Sequence, residues 1–116
     1  MTVGSLAHDD VVTCGLADAV GPVRERVGSS PYPFALVLGE RRVVFGRLPL
    51  SKCDCDPGLR VEEVMEPGPS TVRAHRTAAT IATRLAEKQL RWAIVTTPEG
   101  ELIGVAARTE LEAAAA

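Results

Sequence analysis

Apolar and polar positions along the chain fall into short runs that alternate between helical and extended spacing in a repeated order. In the C-terminal half, residues 70–73 form a short extended segment after the chain-breaking Pro67-Gly68-Pro69. Ala78, Ile81, Ala82 and Leu85 then recur at helical spacing within residues 78–88, a stretch of good helix formers. Thr77 stands where an N-cap hydroxyl would accept from an otherwise unpaired amide one turn on. The run Trp92-Ala93-Ile94-Val95-Thr96 is apolar with β-branched members and predicts a buried strand. Pro98-Glu99-Gly100 predicts a tight turn, residues 102–106 the returning strand, and Thr109 the start of a closing helix through Glu110, Leu111 and the alanine tail.

The N-terminal half follows the same order less cleanly. Residues 11–14 read as a strand and residues 16–27 as a helix that Gly21-Pro22 either kinks or restarts. Residues 34–38 and 42–45 form a hairpin around Gly39-Glu40, and residues 49–53 begin a closing helix that Asp56-Pro57-Gly58 stops. Residues 60–65 then lead into the second half.

The two halves superimpose when the sequence is shifted by 58 positions, the separation of Gly46 and Gly104. Ala35-Leu36-Val37 then falls on Ala93-Ile94-Val95, and Val44-Phe45-Gly46 on Leu102-Ile103-Gly104. Thr13, Val23 and Val27 meet Thr71, Ile81 and Leu85 without a gap. Identities are few, but apolar positions agree across two strands and a helix in one register. The pattern is a tandem repeat of a β-α-β-β-α unit, an α/β (α+β) chain with motifs at residues 1–58 and 59–116. One copy alone leaves a sheet face uncovered, so two copies are expected to close the core.

Composition narrows the function. An apolar fraction of 46% with 24% charged residues suits a folded domain, and 13 basic against 15 acidic side chains give a net charge of −2. That balance offers no general attraction to nucleic acid, and no apolar run is long enough to span a bilayer. The first ten residues lack the features of a secretory signal, so a cytoplasmic location is expected. Cys14 stands alone and Cys53-Asp54-Cys55 lies in what reads as a polar linker. Two thiolates beside carboxylates could form half of a soft-metal or redox site, but no second Cys pair or paired His completes it. No metal site is therefore assigned. His8 and His75 have no nucleophile at motif spacing, and neither Gly-x-Ser-x-Gly nor a Walker-type loop occurs, so no enzyme activity is expected.

The run Val61-Glu62-Glu63-Val64-Met65-Glu66-Pro67 followed by Ser70-Thr71-Val72-Arg73, together with Trp92-Ala93-Ile94-Val95 and Gly100-x-Leu102-Ile103-Gly104-Val105, resembles a CBS domain, the type named for cystathionine β-synthase. The first half joins through the repeat rather than through motifs of its own. The resemblance implies two CBS-type units packed as a pseudo-two-fold pair, a regulatory Bateman module that commonly forms homodimers and serves a partner protein. Many such modules bind adenosine-containing nucleotides, with AMP, ATP or S-adenosylmethionine as the expected effectors, in clefts between the copies. The family pattern places Ser or Thr three residues after the hairpin glycine and Asp three later, where a carboxylate accepts ribose hydroxyls. Here those positions are Ala107 and Glu110 in the second copy, Pro49 and Lys52 in the first. The first site is thus degenerate and the second half kept. The candidate nucleotide-binding residues are Ser70, Thr71, Arg91, Trp92, Ala93, Arg108 and Glu110. Five of them have an ordinary structural alternative: capping for Ser70 and Thr71, a core or dimer-interface role for Trp92, a surface position for Arg91 and Arg108. The alternative function is a degenerate, ligand-free module for dimerisation or protein interaction.

Overall fold

A computed structural model describes residues 1–115; Ala116, the last residue of the expected second motif, lies outside the described residues. The strands and helices are β1 (Val12–Cys14), α1 (Val20–Gly28), β2 (Phe34–Leu38), β3 (Val44–Pro49), α2 (Val61–Val64), β4 (Glu66–Pro67), β5 (Thr71–Arg73), α3 (Ala78–Glu87), β6 (Trp92–Thr96), β7 (Leu102–Ala107) and α4 (Arg108–Ala115). They form two sheets in two compact units, one of residues 11–69 and one of residues 1–10 with the chain from Ser70 onward.

The repeat holds bond by bond. In the first unit β1 runs parallel to β2 and pairs Thr13 with Leu36; 58 positions on, β5 runs parallel to β6 and pairs Thr71 with Ile94. The antiparallel pairs Phe34–Pro49 and Val37–Gly46 recur as Trp92–Ala107 and Val95–Gly104, and both hairpins shift register at the same place, after Val37 and after Val95. The parallel strand pairs are joined through α1 and α3, the crossover that parallel pairing requires. Both cores match position for position: Val20, Val23, Val27, Ala35, Val37 and Leu48 in one, Ala78, Ile81, Leu85, Ala93, Val95 and Ala106 in the other.

The division of the chain differs from the expected boundary at residues 58 and 59. Residues 1–10 pack with the C-terminal unit, and residues 59–69 with the N-terminal one. The cause is burial and backbone pairing. Val3 and Val61 are both fully buried, each in a different core, and burying a valine is worth about 2 kcal/mol. The Val3 amide donates to the Arg76 carbonyl at 2.8 Å and Gly4 to Ala74 at 3.0 Å. Val61 and Glu62 donate to Asp18 and Leu16 at 2.8 and 3.0 Å. Further along, Arg47 of β3 pairs with Glu66 of β4, and Val105 of β7 bridges His8 in the equivalent position. The repeat therefore begins upstream of its first strand, in leading segments that each place one fully buried valine in a core, Val3 and Val61 being 58 positions apart.

Three expected elements are corrected. The first helix begins at Val20, not residue 16, so Pro22 sits in its opening turn, where no amide partner is lost. The expected closing helix at residues 49–53 is a single 3-10 turn, Leu50–Lys52, because β3 extends through Pro49. Residues 60–65 are no mere connector, since they contain α2, whose start is secured by the Glu63 carboxylate accepting from the Arg60 amide at 2.8 Å. The second-half expectations agree with the structure: Thr77 caps α3, its hydroxyl accepting from the Thr80 amide at 3.3 Å. Gly100 turns the β6–β7 hairpin at φ +87°, a left-handed conformation that favours glycine.

Gly104 offers a direct test of the leading segment. A Cβ there would stand 2.5 Å from the His8 carbonyl oxygen, which is backbone and cannot swing aside. Gly104→Ala is expected to destabilise by roughly 1–3 kcal/mol through this overlap, read as a lowered denaturant midpoint. An unchanged midpoint would show that residues 1–8 do not rest on β7 in solution.

Candidate functional site

The candidate residues gather where β5 and β6 begin, β7 ends and α4 starts. Parallel pairing puts the starts of β5 and β6 side by side, and the antiparallel return brings Ala107 opposite Trp92. The end of α3 completes this corner. Lys88 caps the helix, Gln89 takes a left-handed φ of 56°, and the Leu90 amide donates back to the Leu85 carbonyl at 2.8 Å. With the Gln89 amide on Ala86 at 3.1 Å, this is a Schellman closure, which turns the chain abruptly so that Leu90 and Trp92 follow at the sheet's end.

A cavity of about 260 Å³ opens there, lined by Ser70, Thr71, Val72, Trp92, Ala93 and Ile94 on the sheet side, and by Arg84, Leu85, Lys88 and Leu90 on the helix side. Four of the seven sequence candidates thus share one wall: Ser70, Thr71, Trp92 and Ala93. Ser70 and Thr71 are exposed, Trp92 is half-buried and Ala93 buried. The helix side brings Arg84 and Lys88, which are not among the sequence candidates. Only the sharp turn at Gln89 brings them opposite Trp92.

The other three candidates lie outside this lining. The Arg108 amide donates to the Arg91 carbonyl at 2.9 Å, and Arg108 Nη1 donates to the Leu90 carbonyl at 3.2 Å. Its buried Nε lies 3.6 Å from Glu112 Oε1, close enough for charge attraction but without a hydrogen bond. Arg108 thus fastens the start of α4 to the turn after α3, while Arg91 is exposed. Glu110 turns toward the leading segment, where its Oε2 meets His8 Nε2 at 2.9 Å. Its hydrogen bond and its negative charge, aided by Asp10 and Asp9, hold the His8 pKa above the ordinary 6.5.

The first unit has a different corner. Phe34, in the place of Trp92, is 1% exposed; the Tyr32 ring lies 6.1 Å from it and the Arg47 guanidinium 5.5 Å above it. Arg47 is held in turn by Glu66 at 3.0 Å. Aromatic rings and a guanidinium fill the space that is open beside Trp92.

The cysteines are not linker residues. Cys14 and Cys53 belong to the core of the first unit, Cys53 at the position that Leu111 holds in the other, and Cys55 packs against that core. Burial pushes the Cys14 thiol up to about 11 and raises Cys53 as well, and all three are free thiols. Among the described residues, no group of three or more His, Cys, Asp or Glu side chains is gathered closely enough to hold a metal ion, and no helix is long and apolar enough to cross a membrane. A thiol-reactive reagent at about pH 8 should label the partly exposed Cys55 first, with Cys14 and Cys53 reacting only on unfolding. Uniform labelling of all three in the native protein would contradict the burial described.

No protein-family model and no curated protein matches this sequence. Similar folds occur among solved structures. The chain superimposes on the CBS domains of a transcriptional regulator from Streptococcus pneumoniae with TM-score 0.86 and 19% identity, over 97% of this chain and 98% of that one. The cytosolic domain of the Mg2+ channel MgtE, solved with ATP, gives 0.88 and 22% over 97% of this chain and 48% of that one. CBSX2 in complex with AMP gives 0.81 and 22%, over 98% and 95% of the two chains. This chain has the fold of a tandem CBS domain pair.

Proposed function

We propose that this chain is a cytoplasmic, non-catalytic regulatory module that binds an adenosine-containing nucleotide at the corner of the second unit between Thr71 and Trp92. The observation that carries this reading is the cavity of about 260 Å³ with Ser70, Thr71, Trp92 and Ala93 along one wall. Its volume falls just under the roughly 300–1,000 Å³ of ordinary small-molecule sites, so it suits one part of a nucleotide rather than the whole. The base would stack on Trp92, whose large ring offers a π face to any purine. Glu110 lies outside this lining, so it would accept the ribose hydroxyls of a ligand that extends from Trp92 toward the start of α4, and Arg84 and Lys88 add positive charge to the cavity wall. AMP, ATP and S-adenosylmethionine share the adenosine part and are the effectors to test. The AMP and ATP complexes of two proteins of similar fold support that choice.

A second reading is a ligand-free module that acts through a homodimer or a partner protein. It is favoured by Ala107, which has no hydroxyl, and by Pro49 and Lys52 at the matching places in the first unit. An apolar groove beside α1 in that unit, lined by Gly21, Pro22, Gly28, Leu50 and Pro57 with Arg24 and Glu25, gives it a surface to act through.

Trp92 is the only tryptophan, so its emission reports on this corner alone. Titration with AMP, ATP and S-adenosylmethionine should change that emission saturably for at least one of them. By calorimetry, Trp92→Ala should weaken binding about 5- to 150-fold, the equivalent of roughly 1–3 kcal/mol of stacking. No response to any of the three, with a stable dimer by light scattering, would replace this reading with the second.

A further inference from the structure

We propose that His8 gates the second unit's site, by occupying one oxygen of the Glu110 carboxylate while protonated and yielding it to a ribose hydroxyl once the proton has left. The inference rests on the reading of Glu110 as the ribose-accepting carboxylate and concerns how that group is controlled.

The contact is built by the fold. Residues 8 and 110 are brought together because the His8 backbone exchanges two hydrogen bonds with Val105, at 2.9 and 2.8 Å. Gly104 leaves room for the His8 carbonyl, which a side chain there would meet at 2.5 Å. The imidazole is therefore delivered to the first turn of α4 by fixed backbone, and its Nε2 lies 2.9 Å from Glu110 Oε2. Nothing comparable is recorded in the first unit, where Glu66 holds the position of His8 and pairs with Arg47 rather than with Lys52.

The chemistry is a competition. A carboxylate offers two oxygens, and a ribose diol uses both when it binds in a bidentate manner. Protonated His8 holds one of them through a charge-assisted bond, which solvent screens because both side chains are about half exposed. The charged groups around the imidazole are Glu110 on α4 and Asp10 and Asp9 on its own segment, all acidic. On α4, Arg108 and Glu112 face one another at 3.6 Å, and β7, Leu102–Ala107, carries no titratable side chain. The proton on His8 is thus retained above the ordinary value of 6.5, and its loss removes the charge assistance. The sign follows. Ribose binding is weakest below about pH 6.5, where His8 is charged, and strengthens as pH rises through the raised value. By reciprocity, a bound ribose lowers the His8 pKa back toward 6.5.

The test uses adenosine, because the phosphate of AMP itself titrates near pH 6 and would obscure the effect. Wild type and His8→Ala are titrated from about pH 5.5 to about pH 8.5 by Trp92 fluorescence, and the His8 pKa is followed by NMR with and without adenosine. His8→Ala keeps the backbone bonds to Val105. Wild-type affinity should rise about 2- to 5-fold across this range, while His8→Ala binds tightly throughout with a flat profile. Saturating adenosine should lower the His8 pKa, and 2′-deoxyadenosine should show a weakened pH dependence. A wild-type pH profile retained by His8→Ala, or a His8 pKa unmoved by saturating adenosine, overturns the gate and leaves the site standing. Absence of adenosine binding by both proteins at about pH 8.5 overturns the ribose site itself, and the gate with it.

Discussion

Each unit depends on a valine that comes from outside its own run of strands and helix. Val3 completes one core and Val61 the other, both fully buried. A three-stranded sheet with its crossover helix leaves part of its apolar face open. The short leading segment closes that gap, then continues along the edge of the hairpin's second strand. There it satisfies backbone groups that an unpaired edge would expose. The order of the chain follows from this requirement. It starts in one unit, builds the other from Val11 to Pro69, and returns. The unit of residues 11–69 is one continuous stretch, while the other is assembled from both sides of it.

The same leading segment reaches the candidate site. Because it must pair with β7 to seat Val3, it carries His8 to the first turn of α4. Glu110 therefore meets an imidazole instead of standing alone in solvent. In the first unit the equivalent residue is Glu66, and the ion pair forms with Arg47, whose guanidinium also covers Phe34. One backbone arrangement thus produces two different corners, open beside Trp92 and filled beside Phe34. The difference lies in a few side chains at matched positions.

Much of this was legible in the chain. The 58-residue shift predicted the strand pairs, the place of the hairpins and most core positions, since burial demands an apolar residue wherever the repeat demands a wall. Thr77 was readable as a cap because its role is local. Val3 and Val61 match under the same shift, but each stands outside the strand and helix runs, so no local period assigns it to a core. Cys53 was misread for a related reason, since its neighbours Lys52 and Asp54 are exposed and only the repeat partner Leu111 points to a core role. Within the site, Ser70, Thr71, Trp92 and Ala93 were found through local motif and repeat. Arg84 and Lys88 were not, because their nearness to Trp92 is created by the left-handed turn at Gln89.

Local order and spacing were therefore enough to establish the repeated β-α-β-β-α unit, the cap, the turns and one wall of the cavity. These features follow from propensity and from the period of apolar positions, which act over a few residues. The partner of Glu110, the membership of residues 1–10 and the closure of the first unit's corner were settled by folding in three dimensions. Each joins residues far apart in the chain, and His8 and Glu110 are 102 positions apart. Such pairs depend on which backbone edge is free and which core has room, and both are properties of the assembled unit rather than of any stretch of its chain.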